Sequence, residues 1–210
     1  MRLDFADLDR KLKYKVMTAA IIPRPPALVT TVDPNGTPNA GPYSFFNGFS
    51  DDPPIVGLGI ARRDSGPKKD TGRNIEETGE FVCHIVSEDM FSGMLVTAAE
   101  FPEGIDEIPL AGFQTVACDH IKPPRIVNAP VAFECRRHTT VQLGSGTSVR
   151  DVVLGEIIAA HVRDDMWDDE KQYIDWSKTG FPIGRLYGEL YANLGEAYRG
   201  PVPNPKDLMK

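Results

Sequence analysis

The chain has 210 residues, 41 % hydrophobic and 25 % charged, which is enough apolar material for one globular core. Its formal net charge of −7 comes with no dense basic stretch, which argues against a nucleic-acid or anionic-membrane partner. Cys83, Cys118 and Cys135 form no Cys-x-x-Cys, no apolar run approaches a membrane span, and the charged N-terminal stretch has no signal core; the expectation is a soluble, cytoplasmic protein with reduced thiols and a single domain over residues 1–210.

Leu8, Leu12, Val16 and Ala19 or Ala20 recur at helical spacing, so residues 7–20 read as a short amphipathic helix that Pro23 and Pro25 end. Residues 26–33 form a strand rich in β-branched side chains, and Asn35-Gly36 signals a tight turn. The return strand runs from Thr37 through Asn47, with Pro38 and Pro42 marking an edge or a bulge. Residues 55–61 are a third strand, whose Gly57 and Gly59 predict close approach of another backbone or a ligand. Residues 70–78 suit a short helix with Asp70 or Thr71 as N-cap and Gly79 as its stop.

Residues 80–86 alternate as a strand, 88–99 read as helix, and the Pro- and Gly-rich 101–112 as a loop. Further strands are expected near 113–121, 131–143, 150–163 and 185–190, with Gly144-Ser145-Gly146 as the turn between the two long ones. The tail from Gly200 is extended and either docks or frays. The sum is a mainly β protein, an antiparallel sheet with flanking helices, of the kind that closes into a barrel to remove raw edges.

Lys69-Asp70-Thr71 enters the second helix, where unpaired backbone N–H groups and a partial positive charge favour an anion. The same tripeptide also reads as an ordinary helix cap beside a solvated lysine. In Ser44-Phe45-Phe46-Asn47, adjacent strand residues face opposite sides, so one Phe belongs to the core and the other to a cleft. Asn47 has the donors and acceptor to read an imide-like ring edge, or it is a turn residue after a core pair. Thr30 and Thr31 likewise face opposite ways, as ligand contacts or as plain strand formers. Arg24, stiffly placed between two prolines, suits an anion or one of the chain's carboxylates.

Competing motifs fail. Gly57-x-Gly59 lacks the third glycine of a dinucleotide fingerprint, and there is no Walker loop and no Gly-x-Ser-x-Gly elbow. His84, His120, His138 and His161 lack metal-ligand spacing, and no metal site is expected. His84 and His161 fall in strands, where a satisfied sheet residue is the commoner role. His161, ahead of Arg163-Asp164-Asp165, is the histidine of most interest.

Together these segments resemble the flavin reductase-like family of FMN-binding split barrels. The matching residues are Ile-Pro-Arg-Pro at 22–25, Thr-Val-Asp-x-x-Gly-x-x-Asn at 31–39, Ser-Phe-Phe-Asn at 44–47, Asp-Pro-Pro at 52–54 and Lys-Asp-Thr-x-x-Asn at 69–74. Glu77-Thr78-Gly79-Glu80-Phe81-Val82, Leu154-Gly155-Glu156 and Gly184-Arg185-Leu186 continue the match. The nearest branch is the one with reductase components of two-component monooxygenases.

The resemblance implies a six-stranded antiparallel Greek-key split barrel, a homodimer with FMN near its interface, NADH or NADPH as co-substrate and an oxygenase as partner. It implies that Ser44, Phe45, Phe46 and Asn47 line the flavin ring and that Thr30 and Thr31 lie beside it. Lys69, Asp70 and Thr71 would hold the phosphate, with Arg24 close. One departure stands out: Tyr187 precedes Gly188 where the family carries two glycines, which would narrow the space over the ring. The implied activity is that of an NAD(P)H-dependent flavin reductase; the rival is a carrier or sensor that binds FMN without turnover.

Overall fold

In a computed structural model, described over residues 1–63, 66–145 and 148–205, the chain opens with helix α1 (Arg10–Ala20). Asp9 caps it by accepting the Leu12 N–H at 2.7 Å. Strand β1 (Ala27–Val32) is buried along its whole length and turns into β2 (Pro38–Tyr43). The Asp33 carboxylate accepts the N–H groups of Asn35 and Thr37, and Gly36 takes a φ of 90°, which is the turn that Asn35-Gly36 predicts.

The return strand is not continuous to Asn47. β2 stops at Tyr43, Ser44 and Phe45 bend, and β3 (Phe46–Asp51) begins on the far side of the sheet. The main sheet is antiparallel with the order β2-β1-β5-β8-β9-β4-β3, where β4 is Pro54–Ala61, β5 Glu80–Ile85, β8 Val131–Leu143 and β9 Arg150–Val162. β2 and β3 are therefore its two edges, yet only Ser44 and Phe45 separate them in the chain. That short tether forces the sheet to curl until its edges meet, closing a split barrel by covalent connection. Seven strands replace the expected six because that bend cuts one strand into two.

The edge position of β2 accounts for its prolines. Ala27, Val29 and Thr31 face Tyr43, Gly41 and Asn39, while Pro38, Ala40 and Pro42 share the opposite parity and look outward. Of these three only Ala40 has an N–H, and the Glu107 carboxylate accepts it at 3.0 Å. The edge is thus left without a free donor in this stretch.

Helix α2 (Asp70–Thr78) ends at Gly79 with φ 74°, as expected, but Lys69 rather than Asp70 or Thr71 occupies the N-cap. Residues 88–99 split into a 3-10 turn and α3 (Phe91–Thr97). The stretch 101–112 is not all loop: Glu107–Leu110 form a short helix, α4, capped by Asp106. The strand expected at 113–121 shrinks to β6 (Thr115–Val116), paired with β7 (Arg125–Ile126). β10 (Trp167–Asp168) pairs with β11 (Tyr173–Ile174) in the acidic region. The strand expected at 185–190 is instead the hairpin β12 (Ile183–Arg185) and β13 (Tyr191–Asn193), with 186–190 as its turn.

Residues 196–204 carry no regular structure, Gly146 of the predicted turn lies outside the described residues, and so does the chain end from residue 206. One apolar cluster fills the barrel around Val29, Leu58, Ile60, Ile75 and Phe81; a second, with Leu28, Met90, Met94 and Ile126, packs α3 and α4 on the outside. No helix among the described residues is long and apolar enough to cross a membrane.

Candidate functional site

Two cavities flank the bend between β2 and β3. Pro42 and Tyr43 form a wall of the first; Ser44 and Phe45 form a wall of the second. The first encloses about 240 Å³ between β2, the start of α2 and the segment 97–101, with Lys69, Asp70, Thr71, Arg63 and Glu107 around it. The second encloses about 610 Å³ and is largely apolar, with Met17, Ile21, Phe45, Phe49, Leu143 and Val152 on its walls.

The polar cavity is anchored from below. Asn39 Nδ2 donates to Thr71 Oγ1 at 2.8 Å and to Thr31 Oγ1 at 3.2 Å, and Asn74 Nδ2 donates to Thr31 Oγ1 at 3.0 Å. This buried network pins the first turn of α2 to the first two strands. Asp70 sits between Arg63 at 2.7 Å and Arg73 at 2.8 Å, so its charge is compensated. The Lys69 carbonyl accepts the Arg73 N–H at 3.0 Å, but its ammonium has no hydrogen bond or ion pair among the described residues. The N–H groups of Asp70, Thr71 and Gly72 open the helix and so lack intrahelical acceptors. An unpaired ammonium beside free helix-start amides is a donor set that fits a phosphate.

Two titratable groups in this cavity stay protonated more readily than usual. Burial pushes the Tyr43 phenol up to about 12, against a hydrogen bond with Thr71 that pulls the other way. Burial also raises the Glu107 carboxyl, opposed by the Ala40 N–H.

Both phenylalanines line the apolar cavity, but only Phe46 is also part of the barrel core, while Phe45 is half-buried on the cavity wall. The Phe45 ring lies under the Arg150 guanidinium at 4.5 Å, and its Cβ rests where a side chain on Gly59 would have to be. The Phe49 ring covers Gly57 in the same way. The two glycines thus mark close approach, by aromatic rings from the neighbouring strand. Burial lowers the Arg150 pKa, and its Nη1 donates to the Gly59 carbonyl at 3.1 Å. Asn47 is exposed on β3; its Oδ1 accepts the Gly48 N–H at 2.9 Å, which leaves Nδ2 facing outward.

Other expected site residues have different surroundings. Arg24 is buried, and its guanidinium donates to the carbonyls of Thr18, Ile21 and Leu186 at 2.5, 2.8 and 2.5 Å, with Nε 3.4 Å from Ser44 Oγ. It clasps the end of α1 to the β12–β13 turn and lines the apolar cavity, not the polar one. Burial and Arg185 lower its pKa. Thr30 donates to the Pro124 carbonyl at 2.6 Å, on the face away from Thr31. Neither threonine lines a cavity. Tyr187 is half exposed at the β12–β13 turn and lines neither cavity, so it does not narrow them.

Tyr43, Glu107, Arg63 and Arg150 escaped the sequence reading. The proximity of Tyr43 to Ser44-Phe45-Phe46-Asn47, and of Arg63 to Asp70 seven residues on, offered a local signal; Glu107 and Arg150 join the site from distant segments.

A family model described as "Flavin reductase like domain" matches residues 18–181. Protein YwrF of Bacillus subtilis is 36 % identical over 193 residues, covering 91 % of this chain and 93 % of its own length. The crystal structure of nitrilotriacetate monooxygenase component B from Bacillus cereus superposes with a TM-score of 0.89 at 33 % identity, over 95 % of this chain and 98 % of that one. Pseudomonas fluorescens 2-nitrobenzoate 2-nitroreductase NbaA follows with a TM-score of 0.85 at 32 % identity, over 97 % and 96 % of the two chains.

Proposed function

The chain belongs to the flavin reductase-like family, and on that premise we propose that it is an FMN-dependent NAD(P)H oxidoreductase that takes hydride from NADH or NADPH and hands reduced flavin to a partner oxygenase. The observation that carries this reading is Lys69: an ammonium without a partner among the described residues, set beside the unpaired amides of α2, in a cavity separated from a larger apolar one by the step from Tyr43 to Ser44 in the chain.

In this reading Lys69 and the N–H groups of Asp70, Thr71 and Gly72 hold the phosphate, and Asp70, tied to Arg63 and Arg73, fixes the helix start. The bend at 44–45 carries the ring side. Phe45 is locked between Arg150 and Gly59, Phe46 anchors the bend in the core, and Ser44 and the outward Nδ2 of Asn47 supply polar contacts. Arg24, Thr30 and Thr31 act from behind as supports. Bound FMN supplies the hydride acceptor, so no side chain has to act as acid or base. The protein's share is alignment and exclusion of water by Met17, Phe45 and Phe49.

We further propose a homodimer whose contact covers the apolar cavity, and a reducing cytoplasm suits the three free thiols. The name of the Bacillus cereus relative, a monooxygenase component, supports an oxygenase as recipient. The name of the Pseudomonas relative makes a nitroaromatic acid the competing acceptor. Steady-state oxidation of NADH and NADPH, followed by absorbance with added FMN, tests the activity. Turnover is expected; stoichiometric FMN binding with no turnover from either donor would make the protein a carrier or sensor.

A further inference from the structure

Away from both cavities, three side chains that the proposed reaction does not use meet at one point. Cys118 lies in the loop between β6 and β7, Glu134 on β8 and His161 on β9. Their sulfur, carboxylate and imidazole ligand atoms all lie within 4.8 Å of one another. His161 Nε2 is 2.6 Å from Glu134 Oε1, and the exposed Asp119 carboxylate comes to 4.0 Å from the same nitrogen. We propose that Cys118, Glu134 and His161 form a binding site for a thiophilic divalent cation of the zinc class, with Asp119 swinging in as the fourth ligand.

The donor set is one such ions take: a thiolate, an imidazole and carboxylates. Ligand atoms placed ~2.0–2.3 Å from a tetrahedral ion stand roughly 3.3–3.8 Å apart. The His161–Glu134 contact therefore has to open by only about 1 Å, and no strand has to move. The carboxylate is already aimed. Asp119 N–H donates to Oε1 and His120 N–H to Oε2, each at 2.9 Å, which leaves a lone pair on either oxygen for the ion. The same two amides fix the loop that carries Cys118 and Asp119.

The charges close as well. A thiolate and two carboxylates are balanced by a dication together with Arg125, whose buried Nε has no hydrogen-bond partner. Burial and Glu134 keep the Cys118 thiol protonated against the opposing pull of Arg125, so it is the ion that has to displace the proton. Binding displaces the thiol proton to solvent, and the hydrogen on His161 Nε2 leaves with it or moves to Nδ1. Sequence spacing hides the cluster because its members come from a loop and two strands, with no Cys-x-x-Cys or His-x-x-x-His run.

Cobalt(II) is the probe, because a thiolate–cobalt bond gives a charge-transfer band and a tetrahedral site gives visible d–d bands. The full chain, free of any affinity tag, is titrated with Co²⁺ and read as a difference spectrum against the same sample without the ion. One equivalent is expected to generate both features, and Zn²⁺ to bleach them. Cys118→Ser should lose the charge-transfer band, and His161→Gln should weaken binding at least about tenfold, with far-UV circular dichroism and FMN affinity unchanged. Glu134 is left in place because it also holds two backbone amides. A titration with no charge-transfer band, or a band that survives in Cys118→Ser, would overturn the site and leave a plain His161–Glu134 ion pair.

Discussion

Lys69 and Arg24 are both cations near the bend, and their surroundings separate their roles. Three carbonyls hold Arg24, so Arg24→Ala should strand buried acceptors and lower stability by about 1–3 kcal/mol. The Lys69 ammonium has no hydrogen bond or ion pair among the described residues, so Lys69→Ala should leave the melting temperature in place and weaken FMN binding by over ~1 kcal/mol, about fivefold or more. Calorimetric FMN titration and thermal melts of both variants separate the roles; unchanged FMN affinity in Lys69→Ala removes the phosphate assignment. Thr71→Ala is a poorer probe because Thr71 also anchors α2 through Asn39.

His84 carries the residue-level pH dependence. Burial lowers its pKa from 6.5 to about 4: Nδ1 donates to the Leu28 carbonyl and Nε2 accepts the Ile126 N–H, a pairing that only the neutral ring satisfies. The unfolded chain then binds a proton at a pH where the folded chain does not. Stability from this group is full above about 6.5 and falls as pH drops towards 4. Denaturant unfolding should lose roughly 2 kcal/mol between pH 7 and pH 5. His84→Gln, less stable throughout, should lose that slope; an equal slope in the variant removes His84 as the cause. Glu134 works in a separate window. Burial opposes its charge, but His161 and two backbone amides outweigh that and lower its pKa, so its contribution is lost only below about 4.5.

At the scale of elements, the sequence was most legible where one period ran unbroken. β8 matches its expected span and β9 nearly does, and the Gly79 stop and the Asn35-Gly36 turn sit where their backbone preferences put them. Legibility failed where tertiary contacts override pattern. Residues 37–47 alternate like one strand, and only barrel closure breaks them at Ser44–Phe45. The 107–110 turn of helix is held by docking of its Glu107 on the β2 edge, which no local signal announces. The candidate site divides along the same line, with Lys69 and Thr71 readable from a helix start while Arg150 arrives through the pairing of β9 with β4 and Glu107 through the docking of α4.

Strand glycines turn this contrast into a measurement. A Cβ on Gly155 would strike the ring of Phe81, which is fully buried in the barrel core and has nowhere to go. Gly155→Ala should therefore destabilise by about 1–3 kcal/mol or more. A Cβ on Gly57 would strike the edge of Phe49, which is 66 % exposed and free to swing outward. Gly57→Ala should cost under about 1 kcal/mol but lift Phe49 off the cavity wall, changing FMN affinity rather than stability. Denaturant midpoints and FMN titrations of the two variants check the pair; the reverse order of stabilities would mean the barrel is looser at β9 than its packing indicates.

For the whole molecule, the feature that a lone barrel explains least is the apolar cavity left open at its side. Met17 of α1, Ile21 at its C-cap, Phe49 of β3 and Leu143 at the end of β8 line it and are all more than a third exposed. Contiguous exposed apolar side chains of this kind mark an interaction surface. The homodimer proposed above would put a second copy of the chain on this surface and close the proposed ring site against water. A specific contact needs roughly 800 Å² from each partner.

Light scattering after size exclusion should give twice the 23.1 kDa chain mass at micromolar concentration. Met17→Asp with Phe49→Asp places charges on side chains that are exposed in the single chain, so the barrel should fold while the dimer dissociates. Loss of the proposed dimer should carry FMN affinity down with it, because the cavity that Met17 and Phe49 wall would then stay open to water. A wild-type monomer would remove the interface, and a monomeric double variant with undiminished FMN affinity would show that the ring site is complete within one chain.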